Sequence, residues 1–266
     1  MKSRTAHRLR RYAWVAVILY GLLGLFSFFV ADSLIFAPPS HPNYQADGTT
    51  LQLLDTPQGG QLAVLHLPAA PGKPTVLYSH GNAENLAHSL PLYEAWNHRG
   101  WGVFVYDYPG YGLSSGKPSE TSVEKAAEVA WNHLTTEWGV ADRDVLLIGR
   151  SVGSGPATWL ATRHPAAALI LISPFTSTFE VLPPAQWIFP GNRFPNLRRI
   201  RHCELPLLVI HGTADDAIPP SHGLALYQAS PATHKLWLPL EGADHNNLFD
   251  RESDRIFQSI QDFTGR

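Results

Sequence analysis

The sequence predicts an α/β fold: a mostly parallel sheet of the eight-stranded type, covered by helices on both faces, with a small cap insertion and one apolar helix ahead of it. Three features predict it. Apolar runs of strand length alternate with amphipathic runs of helical period through 51–266, the pattern of parallel strands joined by crossover helices. One strand-to-helix junction holds a serine flanked by glycines, Gly149-Arg150-Ser151-Val152-Gly153. Ahead of all this, 13–31 is a stretch of 19 residues with Ser27 and two glycines as its only interruptions.

The N-terminal element comes first. Lys2, Arg4, Arg8, Arg10 and Arg11 make 1–12 a basic tail without an acid. The apolar 13–31 is close to the roughly 20 residues that cross a bilayer, and Trp14 and Tyr20 sit toward one end, as interfacial aromatics do. Removing the tail's five cations from the 20 basic residues leaves 15 against 22 acidic ones, a balance of −7 for the remainder. The positive-inside rule then places the N-terminus in the cytoplasm and the domain on the opposite side. A cleaved signal peptide would have a shorter apolar region and a small-x-small end; here Phe29 stands two residues before Ala31. A buried core helix is the third reading. Asp32 and the Pro38-Pro39 pair are expected to end the helix and open a linker over 32–50.

The catalytic domain is expected over 51–266. Strand-like runs at 51–54 and 62–67 form an opening hairpin around Gln58-Gly59-Gly60. Thr75–Ser79 is a buried strand, 83–99 a helix stopped by Gly100, and Gly102–Tyr106 the next strand. A helix at 122–138 leads to a strand at 145–148, a helix at 152–163 and the strand Ala168–Ile172. Extended runs at 207–210 and 234–238 and helical runs at 222–229 and 247–263 complete the series. Between them, 174–206 breaks the pattern with Pro174, Pro183, Pro184, Pro190 and Pro195 and with Phe175, Phe179, Trp187, Ile188, Phe189 and Phe194. A loop this long in a compact domain is usually functional. A cap over the carboxyl edge of the sheet and a surface excursion whose aromatics pack down are both open readings.

Composition narrows the function classes. Hydrophobic residues make up 44% and charged residues 16% of the chain, a globular rather than disordered balance, and the net charge of −2 offers no field for nucleic acid. The single cysteine, Cys203, lacks a reactive motif and reads as a packing residue. No CxxC, HxxxH or HExxH pattern suggests a metal site. No metal or organic cofactor is expected.

The chemistry is concentrated at the ends of strands. A tight strand-to-helix turn exposes the Ser151 oxygen at a helix N-terminus, and side chains two residues either side would clash, so Gly149 and Gly153 are required. Gly155 is expected to permit close helix–strand packing. A serine hydroxyl needs a base, and the base an orienting acid. After the strand at 207–210 comes His211-Gly212-Thr213-Ala214-Asp215-Asp216, and after the strand at 234–238 comes Gly242-Ala243-Asp244-His245. Asp215 is favoured over Asp216 as the acid, and His245 is the base. His80 and His211 each precede glycine and shape turns, while His222 and His234 are expected at the surface. An oxyanion needs two pre-aimed donors: the Val152 amide and, from His80-Gly81-Asn82-Ala83-Glu84, the Asn82 amide, with Ala83 second. Glu84 is expected to cap the following helix. The turn 107–112 is expected along the site wall.

Together, HGNAEN (80–85), DYPGYGLSSG (107–116), GRSVGSGPA (149–157), HGTADDAIP (211–219) and GADHN (242–246) resemble the α/β-hydrolases of the Bem-type and abhydrolase-domain group, from about Phe36 to the C-terminus. Several such proteins have an N-terminal anchor followed by a Phe-x-Pro-like stretch; this chain has Ile35-Phe36-Ala37-Pro38. The resemblance implies the α/β-hydrolase fold, Ser151 as nucleophile, Asp215 at the HGxxD position and His245 as base. Some members are protein depalmitoylases with an N-terminal cysteine cluster, which this sequence lacks.

The resulting expectation is a membrane-anchored hydrolase of esters or thioesters, acting on a small-molecule or lipid-like acyl substrate. Its rivals are a serine peptidase or amidase and a catalytically silent scaffold. The intact serine, aspartate and histidine set disfavours the scaffold. A serine rather than an aspartate at 151 disfavours dehalogenase and epoxide hydrolase chemistry.

Overall fold

A computed structural model describes residues 2–57, 59–181 and 192–266. Gln58 and, from the expected cap, Pro183, Pro184, Trp187, Ile188, Phe189 and Pro190 lie outside the described residues.

The chain opens with α1 (Lys2–Ile35), a helix of 34 residues. Within His7–Ile35 the most apolar 18-residue window has a mean hydropathy of 2.2, and only 6% of that window is buried, unlike a helix enclosed in a core. The sequence reading ended this helix near Asp32, but it continues one further turn. Ser27, Ala31 and Ile35 recur every four residues along one face and are buried against the domain. Arg193 donates to the Asp32 carboxylate at 3.1 Å and to the Phe28 carbonyl at 3.1 Å. A docked face and a satisfied Asp32 let the helix run on where sequence signals alone would stop it.

The domain's strands are β1 (Leu51–Asp55), β2 (Gln61–Leu67), β3 (Thr75–Ser79), β4 (Gly102–Tyr106), β5 (Val145–Arg150), β6 (Ala168–Ile172), β7 (Leu207–Gly212) and β8 (Lys235–Leu240). Among the described residues they form one sheet in the order β1-β2-β4-β3-β5-β6-β7-β8. The β1–β2 and β2–β4 pairs are antiparallel and the rest parallel. Alternate residues feed two cores. In β5, Val145 and Leu147 face one cluster and Leu146 and Ile148 the other, so the central strands are apolar throughout, as strands covered on both faces must be.

Helices α2 (Leu90–Asn97), α3 (Glu120–Asn132), α4 (Ser154–Ala161), α5 (Asn196–Ile200), α6 (Pro220–Ala229) and α7 (Leu248–Thr264) complete the fold. α3 begins at a reciprocal capping box between Ser119 and Ser122. α7 buries Leu248, Ile256, Phe257 and Ile260 and ends at Gly265, whose φ of +66° suits a left-handed cap. Two expected helices are shorter. The one expected over 83–99 starts only at Leu90, because 80–89 is held in turns: the Asn85 side chain accepts from Ala87 N–H at 3.1 Å and Asp107 accepts from Leu86 N–H at 2.9 Å. The one expected over 122–138 gives way to a wide turn at His133–Glu137. There, the Thr135 and Thr136 hydroxyls bond back to the carbonyls of Trp131 and Asn132.

The sheet order fixes the site. The chain leaves β3 toward β4 on one side, while β5 lies on β3's other side. The β3 and β5 loops therefore diverge at the carboxyl edge, and the crevice between them is where ligands bind in open α/β sheets.

Candidate active site

The turn after β5 is built as its glycines require. A Cβ on Gly149 would lie 2.4 Å from the Gly153 carbonyl oxygen, and one on Gly153 would lie 2.0 Å from the Ser79 carbonyl oxygen. Between them Ser151 has a φ of +52°, in the left-handed region. Such a conformation costs of order 1–3 kcal/mol and persists only where its surroundings over-determine it. Here the Ser154 hydroxyl donates to the Ser151 carbonyl at 2.7 Å, and Asn196 donates in turn to the Ser154 hydroxyl at 3.3 Å. Gly155 serves a purpose other than the one expected. Its missing Cβ makes room for the Phe194 ring, which would approach to 2.3 Å, rather than for a strand.

Three loops bring Asp215, His245 and Ser151 together. His245 Nε2 lies 3.1 Å from Ser151 Oγ, and His245 Nδ1 lies 2.8 Å from Asp215 Oδ2. An ionised carboxylate only accepts, so Nδ1 carries the proton toward Asp215 and Nε2 is left to accept from the serine. The other Asp215 oxygen accepts from the amides of Ala217 at 3.1 Å and Ile218 at 2.8 Å. Burial alone would raise the Asp215 carboxyl, but hydrogen bonds from His211, His245 and Ile218 outweigh it and hold the group well below the usual carboxylate range. Asp216 is exposed to solvent.

The loop after β3 forms the facing wall. His80 is buried, Nδ1 2.8 Å from the Gly81 carbonyl, and its own carbonyl accepts from the Tyr108 hydroxyl at 2.5 Å. The Asn82 side chain is held at both ends: Nδ2 donates to the Ile35 carbonyl at 2.6 Å, and Oδ1 accepts from Ala37 N–H at 3.0 Å and the Tyr111 hydroxyl at 2.6 Å. The turn 107–112, expected along the cavity wall, instead props this loop from behind through Asp107, Tyr108 and Tyr111.

Above Ser151 lies a cavity of about 460 Å³, within the range of small-molecule sites. Asn82, Ser151 and Val152 form its polar floor. Phe175, Phe179, Val181 and Ile218 are among its apolar walls, joined by Leu34 and Ile35 from α1. From the described part of the 174–206 segment, Phe175, Thr178, Phe179 and Val181 line this cavity.

Several roles differ from expectation or escaped it. Glu84 caps no helix but ion-pairs with Arg150. The other arm of Arg150 donates to the His245 carbonyl at 3.1 Å, tying the loop of His245 to the loop after β3. An arginine inside the serine motif, at the end of an otherwise apolar strand, was the available signal. His222 is half-buried rather than at the surface, its Nδ1 2.8 Å from the Thr176 hydroxyl. The part α1 plays in the cavity leaves no local trace, since 47 residues separate Ile35 from Asn82.

A serine at φ +52° on a glycine-flanked turn from strand to helix has the geometry of the elbow found in α/β-hydrolases. The Serine aminopeptidase, S33 family model matches residues 70–198. Alpha/beta hydrolase domain-containing protein 17C of Xenopus tropicalis is 41% identical over 211 residues, covering 77% of this chain and 67% of the relative. Alpha/beta hydrolase domain-containing protein 17B of Homo sapiens is 38% identical, covering 77% and 73%. The Pyrococcus furiosus esterase Pf2001 shares the fold at a TM-score of 0.68 and 16% identity, over 87% of this chain and 99% of that one. The chain belongs to the α/β-hydrolase superfamily, as an enzyme of the serine hydrolase type.

Proposed function

We propose that this enzyme is anchored in a membrane by α1 and cleaves carboxylic ester or thioester bonds through Ser151, His245 and Asp215. The observation that carries this is the hydrogen-bonded chain from Asp215 through His245 to Ser151 on the floor of an apolar cavity. Ser151 Oγ attacks the acyl carbon as its proton passes to His245 Nε2. The tetrahedral oxyanion is held by the backbone amides of Val152 and Asn82, each such donor being worth roughly 10²–10³ in kcat. The bond from the acyl carbon to the leaving oxygen or sulfur breaks as His245 protonates the leaving group. Water then attacks the acyl-enzyme, gives its proton to His245, and releases the acid with Ser151 restored. Every proton moves between groups on this chain, the substrate and water, so the cycle needs no cofactor.

The name of the matching family model raises a second reading, cleavage of aminoacyl amides. Among the described residues lining the cavity there is no carboxylate to receive an α-ammonium group, which favours an uncharged acyl group. The basic tail ahead of α1 supports a cytoplasmic N-terminus with the catalytic domain on the far side.

The test is fluorophosphonate labelling of wild type beside Ser151→Ala, followed by hydrolysis of p-nitrophenyl esters from acetate to palmitate and of an aminoacyl p-nitroanilide. Labelling and ester turnover by wild type, both lost in the variant, is the expected result. Amide turnover matching ester turnover would transfer the assignment to the peptidase reading.

A further inference from the structure

The cavity above Ser151 is closed on one side by the anchor itself. Leu34 and Ile35, in the last turn of α1, line it together with Phe175, Phe179 and Val181. This turn is fastened to the catalytic domain at three points. The Ile35 carbonyl, one of the orphan acceptors at a helix C-terminus, takes the Asn82 side-chain amide, whose backbone belongs to the oxyanion-side loop. Phe36 packs edge-on against Tyr111 and Phe194. Asp32 pairs with Arg193.

Depth follows from helix geometry. About 20 residues cross the hydrocarbon core. Counted from Tyr12, directly after the last arginine of the tail, they end at Ala31. Leu34 is then only about 4.5 Å further along the axis, at a rise of 1.5 Å per residue. The first charges beyond the apolar run, Asp32 and its partner Arg193, fall at that same level, where a membrane has its polar headgroups. Leu34 is nevertheless 66% exposed, and Phe28 and Phe29 just below it are 59% and 71% exposed. One apolar side chain thus borders both the cavity and the surroundings of the anchor.

We propose that the last turn of α1 is a wall of the acyl-binding cavity, placed at the membrane surface so that the enzyme takes long acyl chains laterally from the leaflet. This rests on the ester or thioester hydrolase reading and specifies its substrate class: acyl groups whose tails lie in the bilayer, rather than short water-soluble acyl esters. The anchor then acts as a specificity element as well as a tether. Its clamp on Asn82 makes the site's geometry depend on the helix being present.

The test uses the full chain reconstituted in phosphatidylcholine vesicles, comparing p-nitrophenyl palmitate carried in the bilayer with p-nitrophenyl acetate in water. Leu34→Trp narrows the wall and Leu34→Ala recedes it; fluorophosphonate labelling checks that each variant keeps a competent serine. The expected result is a fall of about tenfold in the palmitate-to-acetate ratio of kcat/KM for Leu34→Trp, the scale on which hydrophobic pockets discriminate by shape. For Leu34→Ala, a raised palmitate KM is expected. A ratio that stays at the wild-type value in labelled variants overturns the inference, whether both rates hold or both fall together. A wild type that neither labels nor turns over either ester overturns the serine hydrolase mechanism beneath it, a distinct outcome.

Discussion

Asp215 and Asp216 are neighbours in sequence and opposites in environment. The first is buried and receives two backbone amides and a histidine, while the second faces solvent. Sequence reasoning favoured Asp215 over Asp216, and it is Asp215 that the structure sets against His245 Nδ1. Asp215→Asn should keep the fold and lower kcat roughly 10⁴-fold, since an amide facing Nδ1 stabilises the wrong imidazole tautomer; single-turnover ester hydrolysis reads this. The depressed carboxyl also has a thermodynamic consequence. A carboxylate held below its unfolded value contributes stability that is present above about pH 4 and is lost as pH falls toward its folded value. Asp215 therefore stays charged throughout the working range, and an acid limb in activity between pH 5 and 7 would belong to another group. That Ser151, Asp215 and His245 would meet was legible because each sits in a short local motif at the end of a strand. Arg150, Glu84 and the capping role of Asn82 were not, because each depends on partners at least 45 residues away.

At the scale of elements, the junction from β5 to α4 is the most tightly determined piece of the molecule. Gly153→Ala would place a methyl 2.0 Å from the Ser79 carbonyl of the adjacent strand. Neither backbone has a flexible end that can yield, so the turn must open. A loss of about 1–3 kcal/mol or more is expected from such overpacking, read as a lower urea midpoint, together with weakened fluorophosphonate labelling as Ser151 leaves its position. The strands β3, β4 and β6 were legible residue for residue, because a run apolar on both faces and bounded by turn residues has few alternative fates. Helix starts were less so, since Asn85 and Asp107 capture backbone amides that helical period alone assigned to a helix. A second element-scale prediction comes from β2, where burial first, and the nearby His133 second, push His66 down to about 3. The fold thus holds His66 neutral while the unfolded chain would protonate it near 6.5. As pH falls from about 6.5 toward 3, the unfolded state takes up a proton that the folded state refuses, so stability is lost across that window. The urea midpoint should drop between pH 7.5 and pH 5, and should drop less in His66→Phe.

The whole molecule joins a soluble type of fold to an apolar helix whose last two turns are packed into it. A mostly parallel sheet was legible because strand-like and helix-like runs alternate, and the helix because of its composition, while the strand order was not written in that alternation. Their docking was not, since Ser27 reads only as a polar interruption, Ala31 as the end of the apolar run and Ile35 as part of a linker until the surface they meet is in view. Docking makes sidedness a question of the entire protein: if the tail stays in the cytoplasm, the cavity opens on the other face, and the substrate must come from that leaflet. The chain carries its own means of testing this. Its single cysteine, Cys203, is 1% exposed, and burial raises the thiol above its ordinary value, so it is a poor target for a membrane-impermeant maleimide. His7 lies on the exposed N-terminal part of α1, and Ser40 is exposed just past its other end. In intact cells Ser40→Cys should label directly, whereas His7→Cys should label only after permeabilisation. The reverse pattern would place the catalytic domain in the cytoplasm and show that the positive-inside rule fails for this anchor. It would leave the lateral route into the cavity intact but draw its substrate from the inner leaflet. Labelling of both sites in intact cells would mean that α1 does not span the membrane, and the wall formed by Leu34 and Ile35 would then face a helix lying along the surface.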